Sequence, residues 1–168
     1  MKRALALLIL LGACAPAPPP DSYRDNTVPL SVTTRGALTE LAGDWTVRGT
    51  YPNTASLDSV HFAPRGDDRI NVTITQTGCE QDCHILSGTW PAQPIAQNRM
   101  RLLTDSTSDP ELCVIWMDEG VRTAVIVTPD GRNAFILDRR AQGGADRIEA
   151  ARTVLEFNGY DISALQMR

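Results

Sequence analysis

Side chains able to do chemistry are few: four cysteines and two histidines in 168 residues. Cys79, Cys83 and His84 form a C-x3-C-H run, three potential metal ligands close together. A tetrahedral structural site needs a further donor, normally from a second Cys or His pair at matching spacing. The sequence has no such pair, so no metal is expected. His61 stands alone in a stretch of alternating polarity, where it could face either way. Asp67-Asp68 and Asp118-Glu119 have the composition of an acid/base pair. Both fall among turn residues, where solvated charge is expected instead. There is no Gly-x-Ser-x-Gly, no His-Glu-x-x-His and no phosphate loop. The sequence therefore predicts neither catalytic residues nor a cofactor.

Composition narrows the partners. The chain is 42% apolar and 21% charged, with a formal charge of −4. Its only lysine is Lys2, and no arginine run forms the basic stripe that phosphate binding requires. Nucleic acid is excluded on that ground. One domain is expected at this length, with enough Val, Ile and Leu to exclude disorder as the main state.

The first residues read as a leader. Lys2 and Arg3 precede an apolar run over 4–11. Eight helical residues span about 12 Å, far short of the ~30 Å hydrocarbon core, so the run is no membrane span. Leu11-Gly12-Ala13-Cys14 resembles the bacterial lipobox, which implies cleavage before Cys14 and lipidation of that residue. A plain secretory signal also ends in small residues, and would leave Cys14 incidental. Loss of the leader removes Lys2 and Arg3, leaving fourteen arginines against twenty acids and a side-chain charge of −6. Such a surface is not drawn to anionic lipid, so attachment falls to the acyl chains. Ala15, following the cysteine, is not the aspartate that retains enteric lipoproteins at the inner membrane. The implied location is the periplasmic face of the outer membrane. Residues 14–36 are expected as the lipidated cysteine and a Pro-rich tether, extended at about 3.1 Å per residue where prolines dominate. The domains are thus 1–13 leader, 14–36 tether and 37–168 folded unit.

In an oxidising compartment, the odd count Cys79, Cys83 and Cys113 predicts one disulfide and one free thiol. Cys79 and Cys83 flank a short connector and could clip a hairpin, with Cys113 a buried inert thiol. A bridge from Cys113 to either remains open.

The elements that must position these residues are mostly strands. Eight short runs follow one another at 45–51, 59–63, 70–75, 84–90, 99–104, 112–117, 121–128 and 134–137. Ile70, Val72 and Ile74 alternate with Asn71, Thr73 and Thr75, the period of a half-buried strand. The run 112–117 is apolar on both faces, so both should be covered. Turn chemistry separates the runs, as at Asp109-Pro110 and Pro129-Asp130-Gly131. One helix is expected near the end, with Ile148, Ala151, Val154 and Leu155 at helical spacing, Asp146 at its start and Asn158-Gly159 as its stop. The predicted fold class is all-β, and an eight-stranded antiparallel up-and-down barrel would leave no exposed edges. A two-sheet sandwich has the same periodicity.

Four blocks carry a family resemblance. Leu41-Ala42-Gly43-Asp44-Trp45 resembles the Gly-x-Trp entry to the first strand of a lipocalin. The segment from Trp116 to Val125, the run Ala134-Phe135-Ile136-Leu137-Asp138-Arg139, and the tail from Ala150 through Asn158-Gly159-Tyr160 are similar to later motifs of the bacterial lipocalins, the outer-membrane lipoprotein branch. The blocks occur in order across 41–165. Val121 departs from the pattern, which has Tyr there, and residues 51–95 match poorly. The resemblance implies an eight-stranded antiparallel up-and-down barrel with one C-terminal helix packed outside, its floor closed by Trp45 with Arg139 lying across the indole, both structural. It also implies a membrane-tethered binding protein for an apolar or amphipathic ligand, with fatty acid or lysophospholipid storage or transport in the envelope as its role. Strand alternation places Val47, Tyr51, Ile74, Leu86, Met100, Leu102 and Ile115 in the cup. An alternative comes from the same entry block, which also resembles periplasmic protease-inhibitor β-barrels acting by protein–protein contact, through the tether or a mouth loop. A structural envelope protein without ligand is a third reading, in keeping with an aromatic content of 5%.

Overall fold

A computed structural model describes residues 20–66, 68–79, 83–105 and 109–168, with the backbone alone at Cys79. The leader, Cys14, the first tether residues and Asp67 lie outside the described residues. Eight antiparallel strands run in chain order: β1 (Gly43–Thr50), β2 (Leu57–Pro64), β3 (Ile70–Cys79), β4 (Cys83–Ala96), β5 (Arg99–Leu102), β6 (Glu111–Met117), β7 (Thr123–Val127) and β8 (Ala134–Asp138). Each pairs with the next, and β1 pairs with both β8 and β2, so the sheet closes on itself. Closure removes the exposed edges that an open meander would leave. The barrel, not the sandwich, is therefore the architecture. A helix, α1 (Ala145–Phe157), lies outside it, and β9 (Gln166–Met167) adds a short edge to β1 at Gly49 and Thr50.

Two apolar cores follow from the alternation. The inner one fills the barrel with side chains including Trp45, Val47, Phe62, Val72, Met100 and Leu137. The outer one lies between the barrel wall and α1, where Ile148, Ala151 and Leu155 meet Val125, Val127 and Ile136. β6 and β7 are wedged between both, and every residue of β7 is buried. That explains why 112–117 is apolar throughout.

Polar anchors fix the helix. Asp138 is fully buried; its carboxylate accepts the Thr123 hydroxyl and pairs with Arg147 at 3.0 Å. A buried charge held this way is costly to leave unpaired, so the network fixes where α1 begins. At the other end Gly159 takes φ +83°, and the N–H groups of Gly159 and Tyr160 bond to the carbonyls of Glu156 and Leu155. A side chain here would meet the Asp25 carbonyl at 3.0 Å, so the glycine serves both the helix stop and the neighbouring segment.

That neighbouring segment corrects the expected tether. From Ser22 the chain is docked on the barrel, not a spacer. Tyr23 is buried and stacks on Tyr51 at 4.1 Å between ring centroids. Arg24 Nε donates to the Asn158 carbonyl at 2.8 Å, and Thr33 N–H bonds to the Val114 carbonyl. The polar composition of 21–26 concealed this, because Tyr23 and Arg24 work as isolated anchors without periodicity. The second departure is β4, which runs on past Pro91 and Pro94 to Ala96. Pro94 sits where the β4–β5 register shifts, a place where a strand accommodates a missing N–H.

Candidate functional site

The lower barrel is closed by a plug. A short 3-10 turn (Leu38–Leu41) buries Leu38 and Leu41 beneath the strands. Trp45 Nε1 donates to the Leu41 carbonyl at 2.6 Å, and the Arg139 guanidinium lies 3.8 Å above the indole centroid. The same guanidinium donates to the carbonyls of Asp44 and Glu40, each at 3.1 Å. Its flat fork suits this double task, stacking and bridging at once. Gly43 stands at φ +98°, and a side chain there would come within 3.1 Å of Arg139, which accounts for the glycine two residues before the tryptophan. Asn98 Nδ2 ties the docked N-terminal segment to this floor through the carbonyls of Thr33 and Arg35.

Asp118 is no solvated turn acid. It is buried, and it accepts the N–H groups of Arg122 and Thr123 and the Arg122 side chain. Burial raises its pKa, but the hydrogen bonds outweigh burial and hold it below the usual carboxylate range. The turn it braces holds Val121 at φ +49°, a left-handed conformation unfavourable for a β-branched residue. His61 points outward, where its Nδ1 lies 2.6 Å from Asp44.

The upper barrel is not filled. It encloses a cavity of about 190 Å³ walled by Leu57, Phe62, Ile74, Leu102, Ile126 and Phe135, with Thr54, Thr128 and Asn133 among its few polar groups. Above it the mouth widens to about 780 Å³, sharing Ile74 and Leu102 with the cavity and adding Trp90, Asp105, Asp109 and Asp130.

Of the residues expected in the cup, Ile74 and Leu102 line this cavity. Val47 and Met100 also face inward, but into the close-packed inner core. Tyr51, Leu86 and Ile115 do not face the cup. Tyr51 lies in the outer core because β1 slips register between Val47 and Gly49: Val47 pairs with inward Leu137, Gly49 with outward Ile136. One extra residue reverses every side chain beyond it. Ile115 lies on the outer wall by plain alternation after inward Val114, on a strand whose two apolar faces gave no phase; the shift between Val114 and Trp116 turns Trp116 outward as well. Leu86 is 47% exposed, opposite Gln76, the last β3 residue that pairs with β2, where the β3–β4 hairpin begins to run beyond the barrel. Phe62, Ile126 and Phe135 were missed as lining. Val60 and Phe62 alternate with Ser59 and His61, so β2 did hold a usable signal.

Cys79 stands directly opposite Cys83 in the hairpin register. Cys113 is free and buried in the outer core, which removes it from either alternative bridge. Burial, reinforced by the Glu111 carboxylate, pushes its thiol up to about 11.

No protein-family model matches the sequence, and no curated protein sequence does. Solved structures do match. Apocrustacyanin C1 superposes with a TM-score of 0.60 at 14% identity, covering 77% of each chain. Lobster apocrustacyanin A1 gives 0.59 at 12% identity, again over 77% of each. The fold is a lipocalin fold. At this identity the likeness extends to the barrel, its closure and the outer helix. The two ends of this barrel differ: a plugged floor at Trp45 and a cavity that opens at the far rim.

Proposed function

We propose that this lipocalin-fold protein binds one small apolar molecule, or the chain of a slender amphiphile, in the upper barrel. The observation that carries the reading is the cavity itself: about 190 Å³, almost entirely apolar, and continuous with an open mouth. Apolar surface shielded there stabilises a bound chain by about 0.8 kcal/mol per methylene. The volume is below the ~300–1,000 Å³ of drug-sized sites, so the ligand is slim or only partly enclosed. A fatty acid or lysophospholipid chain enters this way with its remainder in the mouth.

The reading extends to the envelope. Cleavage before Cys14 and its acylation would hold the protein at the periplasmic face of the outer membrane, with seven residues of sequence between the acylated cysteine and the docked segment that starts at Ser22. A Cys79–Cys83 disulfide would clip the hairpin tip, in keeping with their opposed register. Storage or transfer of lipid beside the membrane is the role this arrangement suits.

Native mass spectrometry of the chain from Ala15 onward, purified from bacterial cells, tests the reading. A discrete added mass of a few hundred daltons that is lost on denaturation supports it. A bare mass that takes up neither fatty acid nor lysolipid overturns it.

A further inference from the structure

The mouth has a charge pattern that selects among amphiphiles. Glu111 is matched by Arg99, and Asp130 by Arg132 at 3.6 Å. Asp105 and Asp109 face no cation among the described residues; Asp109 instead accepts the N–H and hydroxyl of Thr104. Arg132 is the only cation in the described mouth loops, and it is already taken. A fatty-acid carboxylate or a phosphate monoester at this rim would sit beside two uncompensated carboxylates with no guanidinium to receive it.

An aromatic surface stands in the same place. Trp90 is half-buried; it packs against the inner core and forms part of the mouth wall. Its indole lies across Gly88, where any Cβ would overlap the ring, so the glycine holds the aromatic at the rim. The face of an indole attracts a cationic head, most of all a quaternary ammonium.

We propose that the preferred ligand is a single-chain amphiphile whose head bears positive charge and no uncompensated negative charge, with the chain in the upper barrel and the head between Trp90, Asp105 and Asp109. This rests on the cavity reading and narrows it: the simple fatty acid is the disfavoured member of the class.

The test uses three probes with ten-carbon chains, decyltrimethylammonium, decanol and decanoate, titrated calorimetrically below micelle formation into the chain from Ala15 onward. That chain holds every described residue. The ammonium is expected to bind about 10- to 100-fold more tightly than decanoate at low salt, with decanol between and the ratio shrinking as salt rises. In the double variant Asp105→Asn, Asp109→Asn, most of that ratio disappears. Decanoate binding as tightly as the ammonium, or a variant that keeps the full ratio, overturns the head-group assignment and leaves the cavity reading standing. If none of the three binds, the cavity reading fails as well.

Discussion

Affinity should depend on chain length with a break set by the cavity. A methylene takes up close to the volume of one liquid water, ~30 Å³. The 190 Å³ of the upper barrel therefore holds about six. Each methylene removed from water contributes about 0.8 kcal/mol, or roughly fourfold in Kd. Over a series of alkyl ligands sharing one head group, affinity should climb about fourfold per carbon until some six methylenes are enclosed. Beyond that the chain runs into the mouth, where it stays partly hydrated, and the increment should fall by half or more. The gross gain of about 5 kcal/mol places a purely apolar ligand near millimolar to high micromolar affinity. Titration calorimetry across four to twelve carbons reads the series directly. A steady increment up to twelve carbons would overturn this site, because it requires a cavity that the packed inner core around Val47 and Met100 does not leave. So would affinity that is indifferent to chain length.

Three further outcomes follow from side-chain geometry. Arg139→Lys keeps the charge but loses the flat fork over Trp45 and at least one carbonyl bond, and should cost about 1–3 kcal/mol in chemical denaturation; a change below a few tenths would deny the floor its role. Asp118 has a folded pKa below its unfolded value, so its contribution is present above about pH 4 and is lost as pH falls through the folded value. The stability difference between the native chain and Asp118→Asn should therefore shrink on acidification from pH 6 to pH 3, and a difference that is flat across that range would contradict the assignment. Cys113, buried and raised to about 11, should resist iodoacetamide at pH 8 in the folded chain and react on unfolding. Rapid alkylation of the folded protein would show the outer core to be open.

Much of the architecture was legible because alternation and turn residues are local. All eight strands and the helix overlap the runs that period and punctuation placed, with β3 and β4 extending further, and Gly159 stops the helix as the Asn-Gly pair indicated. The site was less legible, for two physical reasons. The register slip at Val47/Gly49 reverses the side chains beyond it, and a bulge leaves no mark in composition; hence Tyr51 falls on the other face, while Ile115 does so because β6 is apolar on both faces and shows no phase. The filling of the lower barrel is a sum over many inward side chains from different strands, which no single window reports. The docked segment 22–36 was hidden likewise, since its anchors Tyr23 and Arg24 find partners far along the chain, at Tyr51 and Asn158.

A ligand in the barrel and a ligand in a surface cleft lie on different sides of the wall. Trp90 at the mouth and Trp116 on the outer wall report on opposite sides of the same sheet. In variants that keep one of these tryptophans, with the others replaced by phenylalanine, fluorescence is titrated with an alkyl amphiphile brominated along its chain. Ligand in the barrel quenches the Trp90 protein and leaves the Trp116 protein bright. Quenching of Trp116 without Trp90, or of both alike, would place the ligand outside and contradict the account.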